Sequence, residues 1–359
     1  MTSDVSRAMR GLCVVLFLLT ACSSAPAPVA SNSPATATTS RISYPGTSST
    51  QSPGRYAVLQ RAGGGLDLIS LARGNVVGSV AAQAPAFVAN TGMPWTSTSL
   101  SRLYYLAGSQ VFFLMPDGSG GPATTIAVGD AQEAGFSVSP DDTRIAVSIF
   151  TFATATPGAA YGGMRMYVED LAGGGHHVDL FTSSTVAEYP VGWTGGHLVV
   201  AVSAPFCCAA APVNPYAADS YHVVDAATGR RLATICTAAA PPQGPVEPAG
   251  TLCGRFQFVH WDGTQAPPLV APPDAGRYHI ALSPDGTQAL VGGAPVRVLG
   301  GGFNESLGLN GDADGWADGN HVLVTDAATG FVYLLSPRGG GIQVAGDTAY
   351  IGPVPVAIS

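Results

Sequence analysis

Two stretches decide the reading of this chain: Phe136-Ser-Val-Ser-Pro-Asp-Asp-Thr-Arg-Ile-Ala-Val147 and His279-Ile-Ala-Leu-Ser-Pro-Asp-Gly-Thr-Gln-Ala-Leu290. Each is a short apolar strand, a Ser-Pro-Asp-Asp/Gly turn and a second apolar strand. Proline presets φ for the turn, and Asp or Gly tolerates the left-handed position that follows. Looser copies run from Pro94-Trp95-Thr96 into Leu103-Tyr104-Tyr105-Leu106, and from Val191-Gly192-Trp193 into Leu198-Val199-Val200. Another runs from Gly315-Trp316-Ala317-Asp318-Gly319 into Val322-Leu323-Val324.

Working outward, a second hairpin type follows each of these, an apolar strand ending in a glycine turn. Its copies are Leu66–Ile69 before Gly74, Val111–Leu114 before Gly118, Met166–Val168 before Gly173, and Tyr221–Val224 before Gly229. Further copies are Phe256–Phe258 before Gly263, Val296–Val298 before Gly300, and Val332–Leu334 before Gly339. Successive turns fall roughly 35 to 56 residues apart, near the ~40–45-residue period of a propeller blade.

The Ser-Pro-Asp-Gly signature at Ser283–Gly286 and its variant at Ser139–Asp142 resemble the inner-strand turn of TolB-like and WD-repeat-like β-propellers. The resemblance covers Gly54 to Ser359. It implies an all-β chain with a single β-propeller of seven blades; six is the alternative, because the copy around Phe256 has no evident inner hairpin. A two-sheet sandwich is the competing fold and would not explain the repeated turn. The tail, Thr348–Ile351 or Val354–Ala357, has strand character and is expected to pair near Tyr56–Leu59, closing the ring.

Composition agrees with many short strands. Only 11% of the 359 residues are charged, with 46 Gly and 28 Pro, which excludes a charged-surface helical bundle. The net charge of −8, with all 15 basic residues arginine, repels nucleic acid. No nucleic-acid role is expected.

The start of the chain reads as an export signal. Arg7 and Arg10 precede the apolar run Leu12–Leu19, far shorter than the ~20 residues of a membrane-spanning helix. Leu19-Thr20-Ala21-Cys22 resembles the bacterial lipobox, which implies cleavage before Cys22 and a diacylglyceryl group on its thiol. Residues 1–21 are thus expected to be a lipoprotein signal peptide. Residues 22–53, almost all Ser, Ala, Pro and Thr after the cysteine, are expected to be a disordered tether, and residues 54–359 the propeller. The implied location is the extracytoplasmic side of the cell membrane, lipid-anchored.

Cys207, Cys208, Cys236 and Cys253 remain, an even number for an oxidising compartment. The favoured pairing joins Cys207 and Cys208 each to one of Cys236 and Cys253. The alternatives are Cys207–Cys208 with Cys236–Cys253, and a zinc site, which lacks Cys-x-x-Cys spacing. Asn310, Asp312, Asp314 and Asp318 have the oxygen spacing of a calcium loop with Gly315 sixth, but His321 stands where a bidentate Glu belongs. The competing reading makes Asp318-Gly319 a plain hairpin turn. No cofactor other than calcium is suggested.

Insertions at Ala155–Gly163, Ala204–Ser220 and Thr237–Thr251 are placed on one face, the expected binding face. Trp95, Trp193 and Trp316 read as one repeated core position, and His197 and His321 as another equivalent pair. His176-His177 reads as solvent-facing. Two functions follow: a membrane-tethered binding or scaffold module for an envelope protein, peptide or glycan, or an enzyme of hydrolase, lyase or lactonase type at the channel mouth. For the enzyme, Glu133, Glu188, His279 and Asp274 are the first candidates. No nucleophile elbow, phosphate loop or dinucleotide fingerprint is present.

Overall fold

The computed structural model describes residues 56–61, 64–83, 93–156, 159–203, 218–242, 248–254, 256–267, 279–300, 303–346 and 348–354. The proposed signal, Cys22 and the tether lie outside these residues, as do Cys207, Cys208 and Asp274. Among the described residues there is no helix, and none long and apolar enough to cross a membrane.

Six four-stranded antiparallel sheets and one two-stranded sheet follow one another along the chain. The first holds β1 (Tyr56–Arg61), β2 (Leu66–Ser70) and β3 (Val76–Val80). The second is β4 (Thr96–Thr98), β5 (Leu103–Ala107), β6 (Gln110–Leu114) and β7 (Gly120–Thr125). The third is β8 (Gln132–Val138), β9 (Arg144–Phe152), β10 (Tyr161–Asp170) and β11 (Val178–Ser183). The fourth is β12 (Ala187–Thr194), β13 (His197–Ser203), β14 (Ser220–Val224) and β15 (Arg231–Ile235). The fifth pairs β16 (Gly250–Cys253) with β17 (Gln257–His260). The sixth is β18 (Ile280–Leu282), β19 (Ala289–Val291), β20 (Arg297–Gly300) and β21 (Phe303–Ser306). The seventh is β22 (Gly311–Asp318), β23 (His321–Asp326), β24 (Phe331–Leu335) and β25 (Gly341–Gly346).

The last strand, β26 (Thr348–Val354), returns to the first sheet and pairs antiparallel with β1, Tyr56 opposite Val354 and Arg61 opposite Thr348. It takes the place that β4, β8 and β12 take in their own sheets, so the two ends of the described chain share one blade. This removes the unpaired edge that an open array would expose. The expected closure, including its register near Tyr56–Leu59, is what the chain forms.

Apolar contacts show that the sheets form a ring. A strand buries alternate side chains on opposite faces, so each sheet needs a neighbour on both sides. Val58 and Leu68 of the first sheet, Leu103 of the second and Phe136 of the third share one core. Phe150, Leu198, Tyr221 and Trp261 join the third, fourth and fifth. Leu252 and Phe258 meet Ile280 and Leu282 between the fifth and sixth. Leu290 and Val298 meet Trp316 and Val322 between the sixth and seventh, and Leu323 and Leu334 meet Ala57 and Ile69 between the seventh and first. Every adjacent pair is packed, and the seventh packs on the first. The fold is a seven-bladed β-propeller, and the sandwich alternative is excluded.

The fifth blade is reduced. Single bridges, Pro242 to Cys253 and Val259 to Gln265, stand at its inner and outer strand positions among the described residues. With so little inner strand there is no inner hairpin to read in the sequence, which is why six blades competed with seven.

The repeated turn is held identically in its two clear copies. Ser139 Oγ donates to Asp141 Oδ1 at 2.6 Å and accepts from Arg144 N at 2.9 Å; Thr143 donates to Asp141 through N and Oγ1. Ser283, Asp285, Thr287 and Gln288 repeat this with Oγ–Oδ1 2.6 Å and N–Oγ 2.9 Å. The next position is left-handed in both, Asp142 at φ 60° and Gly286 at φ 71°. Each turn leans on the preceding blade. Asp142 accepts from Ser101 Oγ and from Tyr104 OH at 2.9 Å, whereas a Cβ on Gly286 would lie 2.1 Å from the Phe258 ring.

The tryptophans need a correction. Trp193 pairs with Leu198 and Trp316 with Val322, both next to the inner turn. Trp95 accepts from Leu106 N, three residues past Leu103, and so sits deeper in its blade. Bulges and unequal turns in the inner strands misalign positions that look equivalent in sequence. The true pair acts alike: Trp193 Nε1 donates to Ser137 O at 3.3 Å, and Trp316 Nε1 to Ala281 O at 3.0 Å. Ser137 and Ala281 occupy matching places, two residues before Ser139 and Ser283. His197 and His321 do hold equivalent positions, each closing an inner turn opposite Thr194 and Asp318.

Candidate functional site

Because successive strands run antiparallel, connections one–two and three–four of each blade emerge on one rim. Connections two–three, and those between blades, emerge on the other. The first rim is closed by aspartates. Asp117, Asp141, Asp225, Asp262, Asp285 and Asp318 each accept the backbone N–H of the residue two further on, at 2.6–3.2 Å, the side-chain mimic of a turn. In Asp141 and Asp225 these bonds favour the ionised form. The Ser139 hydroxyl, then Thr143, holds Asp141 below the usual carboxylate range, and the Ala227 N–H does the same for Asp225.

The other rim carries the longest connections. The strand ends that flank 81–95, 153–160, 204–219 and 266–279 lie there; residues 84–92, 157–158, 204–217 and 268–278 are outside the described residues. The expected insertions Ala155–Gly163 and Ala204–Ser220 overlap two of these, though Tyr161–Gly163 belong to β10 and Ser220 to β14; 81–95 and 266–279 were missed, because a long blade-to-blade link looks like ordinary spacing within an uneven repeat. The expected insertion Thr237–Thr251 is divided. Residues 237–241 belong to this rim, and Pro242 then enters the fifth blade through its bridge to Cys253.

A disulfide secures that point. Cys236 is bonded directly to Cys253, with Cα atoms 5.2 Å apart. The favoured pairing of each with Cys207 or Cys208 is therefore corrected. Cys236 ends the fourth blade and Cys253 ends β16, so both reach the same rim side by side, whatever their distance in sequence. The bond closes a separation of 17 residues, for which chain entropy contributes about 3 kcal/mol. Replacing both with alanine is expected to lower stability by about that amount, read from urea unfolding. A loss under ~1 kcal/mol would mean the fifth blade is held without the bond.

Inner strands begin at this rim, and there lie the described acidic candidates. Glu133 in β8 and Glu188 in β12 are buried, 6% and 4% exposed. Glu188 Oε1 faces His222 Nδ1 at 3.2 Å, outside hydrogen-bond alignment, and Arg231 Nη2 at 3.9 Å. Ser148 Oγ donates to the Glu188 carbonyl at 2.9 Å. His222 and Arg231 could not be joined to Glu188 in the sequence, since they come from three different strands of one sheet.

The calcium-loop reading does not survive the fold. Gly311–Asp318 is the extended strand β22, not a wrapping loop. Oxygens at alternating positions, which would converge in a loop, lie along one side of an extended strand. Asp318 instead accepts from Asn320 N at 2.6 Å and meets His321 Nδ1 at 2.9 Å, as the plain turn requires. Asp314 Oδ2 accepts from Thr325 Oγ1 at 2.7 Å. Asn310 precedes the strand, its carbonyl accepting from Ala327 N at 2.8 Å. Among the described residues no three His, Cys, Asp or Glu side chains could hold a metal ion.

Asp312, Asp314 and His279 nevertheless form an electrostatic group between the sixth and seventh blades. Burial, then the nearby Asp312 charge, pushes the Asp314 carboxyl up to about 6 against the Thr325 hydrogen bond and the pull of His279. A carboxyl raised above its unfolded value of about 3.9 favours folding while protonated. That contribution is present below about pH 4 and is lost as pH rises through about 6. Asp314→Asn keeps an acceptor for Thr325 and removes the titration. It is expected to stabilise the fold at pH 7.5 by on the order of 2 kcal/mol and to leave it unchanged at pH 4. Parallel melting curves for variant and parent across that range would contradict this.

On the outer edge of the third blade, His177 is bonded to Glu169 Oε2 at 3.0 Å and Asp179 Oδ1 at 3.2 Å. It stacks on Tyr167 at 4.8 Å, and His176 meets Asp170 at 2.8 Å. Both histidines are exposed and tied to local acids, as expected for solvent-facing residues.

No known protein family matches the chain, and no curated protein matches it. Similar solved structures are apo AztD from Citrobacter koseri (11% identity, TM-score 0.44, 84% of this chain and 97% of that one) and BamB from Moraxella catarrhalis (15%, 0.36, 83% and 82%). Another is a putative TolB from Agrobacterium tumefaciens (13%, 0.35, 83% and 99%). At such identities the likeness concerns the fold alone. Strand pairing and ring packing within the chain itself make it a seven-bladed β-propeller.

Proposed function

We propose that this chain is a lipid-anchored binding module of the extracytoplasmic membrane surface, taking a protein, peptide or glycan ligand on the rim that bears its long connections. The observation that carries this is the asymmetry of the two rims. On one rim, aspartates spend their oxygens on their own turns. On the other are the long connections, the buried Glu188 and the partly buried Asp314, which are not needed to make a turn. Rigid scaffolds place recognition on such loops.

The test uses the full chain to capture partners from envelope extract. Replacing residues 154–159 by a two-residue turn is expected to abolish or strongly reduce capture, while Ala227→Ser on the aspartate-closed rim leaves it unchanged. Capture unaffected by the first change and lost with the second would refute the assignment of the rim. Lipid anchoring is tested separately: Cys22→Ser is expected to abolish acyl labelling and release the protein from membranes.

A further inference from the structure

Each four-stranded blade ends in an outer strand that has no further strand beside it among the described residues. Charged side chains or proline keep such edges from pairing. Pro122 does so in β7, Asp179 in β11, Arg231 in β15 and Glu305 in β21. β3 (Val-Val-Gly-Ser-Val) and β25 (Gly-Ile-Gln-Val-Ala-Gly) have neither. These two edges are neighbours, because the seventh blade packs on the first where the ring closes. Ile342 and Val344 of β25 fill the space that a Cβ on Gly74 would need, in the turn that leads into β3. The strip is apolar as well as uncharged. Among the described residues the exposed large apolar side chains are Val76, Ile342 and Phe331, 46%, 46% and 39% exposed, and all three belong to these two blades. The hydroxyl of β3, on Ser79, is spent on Asp67 Oδ1.

We propose that a second copy of this chain covers the strip, with β3 pairing antiparallel to the same strand of its partner about a two-fold axis. What favours a copy over another partner is that this strand can face itself. The net charge of −8 makes two copies repel over most of their surfaces, and a two-fold contact sets the same patch of both copies together. Self-pairing of β11, β15 or β21 would bring two Asp179, two Arg231 or two Glu305 side chains close. Self-pairing of β3 brings valines. The exposed arginines beside the strip, Arg73 and Arg338, both sit in three–four turns, on the aspartate-closed rim. Antiparallel pairing takes the Val76 end of one strand to the Val80 end of the other, so these arginines lie at opposite ends of the contact and do not meet. A lasting interface buries at least about 1,200 Å², more than five residues of strand offer, so Ile342 and Phe331 of the seventh blade take part. The long-connection rim of each copy stays open.

Sedimentation of the full chain carrying Cys22→Ser, so that no acyl chain drives association, is expected to show a dimer at micromolar concentration. Val76→Lys puts a charge on the edge at an exposed position, and is expected to weaken the dimer at least about tenfold. Thr125→Lys on the edge of β7, also exposed, leaves it unchanged. Disulfide trapping reads the pairing without the lysine. Chains bearing Val76→Cys mixed with chains bearing Val80→Cys are expected to give a covalent dimer that neither gives alone. A monomer throughout the micromolar range leaves the strip to some other partner and overturns the proposal. A dimer that Val76→Lys leaves intact overturns it too, as does trapping in the unmixed Val76→Cys chain.

Discussion

Removal of Thr348–Ser359 is expected to leave a chain that aggregates on refolding and shows no cooperative thermal transition. β26 supplies the inner strand of the first blade, with six paired positions along β1 from Tyr56 to Arg61. Without it, β1 exposes a row of unpaired N–H and C=O groups, each costing about 1–3 kcal/mol if left buried and unmatched. The apolar face shared by the seventh and first blades, where Leu323 and Leu334 meet Ala57 and Ile69, would also lose the strand that fastens those blades together. These losses are of the same order as the ~5–15 kcal/mol by which a typical domain is stable. Size-exclusion chromatography and calorimetry read the outcome. A truncated monomer melting within a few degrees of the parent would show that the ring is closed by blade packing alone.

Trp316→Ala is expected to cost about 3–5 kcal/mol, the range for deleting a large buried aromatic side chain. The indole is 2% exposed, packs with Ala281, Leu290 and Val298 of the sixth blade, and donates to the Ala281 carbonyl at 3.0 Å. Its loss opens a cavity between two blades and removes the donor that links their inner strands. Trp316→Phe restores most of the apolar contact but not the donor, and should cost about 1–2 kcal/mol more than a neutral change. Trp193→Ala, at the same place in the fourth blade but only half-buried, should cost distinctly less than Trp316→Ala. Urea unfolding of the three variants orders them. Equal costs for Trp193→Ala and Trp316→Ala would mean that burial between blades does not set the penalty.

Much of this architecture is legible in the residues. A Ser-Pro-Asp turn fixes itself through bonds within six residues, from Ser139 to Arg144 and from Ser283 to Gln288, so its structure travels with its local sequence. The same holds for alternation in strands such as β9 and β23, and for glycine at left-handed positions such as Gly118 and Gly229. Local rules of this kind were enough for the fold class, for all seven outer turns and for the strand that closes the ring.

What the residues could not give were contacts between strands distant in the chain, within a blade or between blades, because those depend on how many residues are spent before the partner strand begins. The calcium spacing at Asn310–Asp318 became a strand since β23 was there to pair with it. The bonding of Cys236 to Cys253 followed from a shortened fifth blade that brings one blade's end beside the next blade's second strand. Glu188 met His222 and Arg231, and Asp314 met His279, only once strands distant in the chain lay side by side. Backbone periodicity is set by neighbours a few residues away and can be read directly. The environment of a buried charge is set by whichever surfaces the closed ring presses together, and so belongs to the tertiary structure alone.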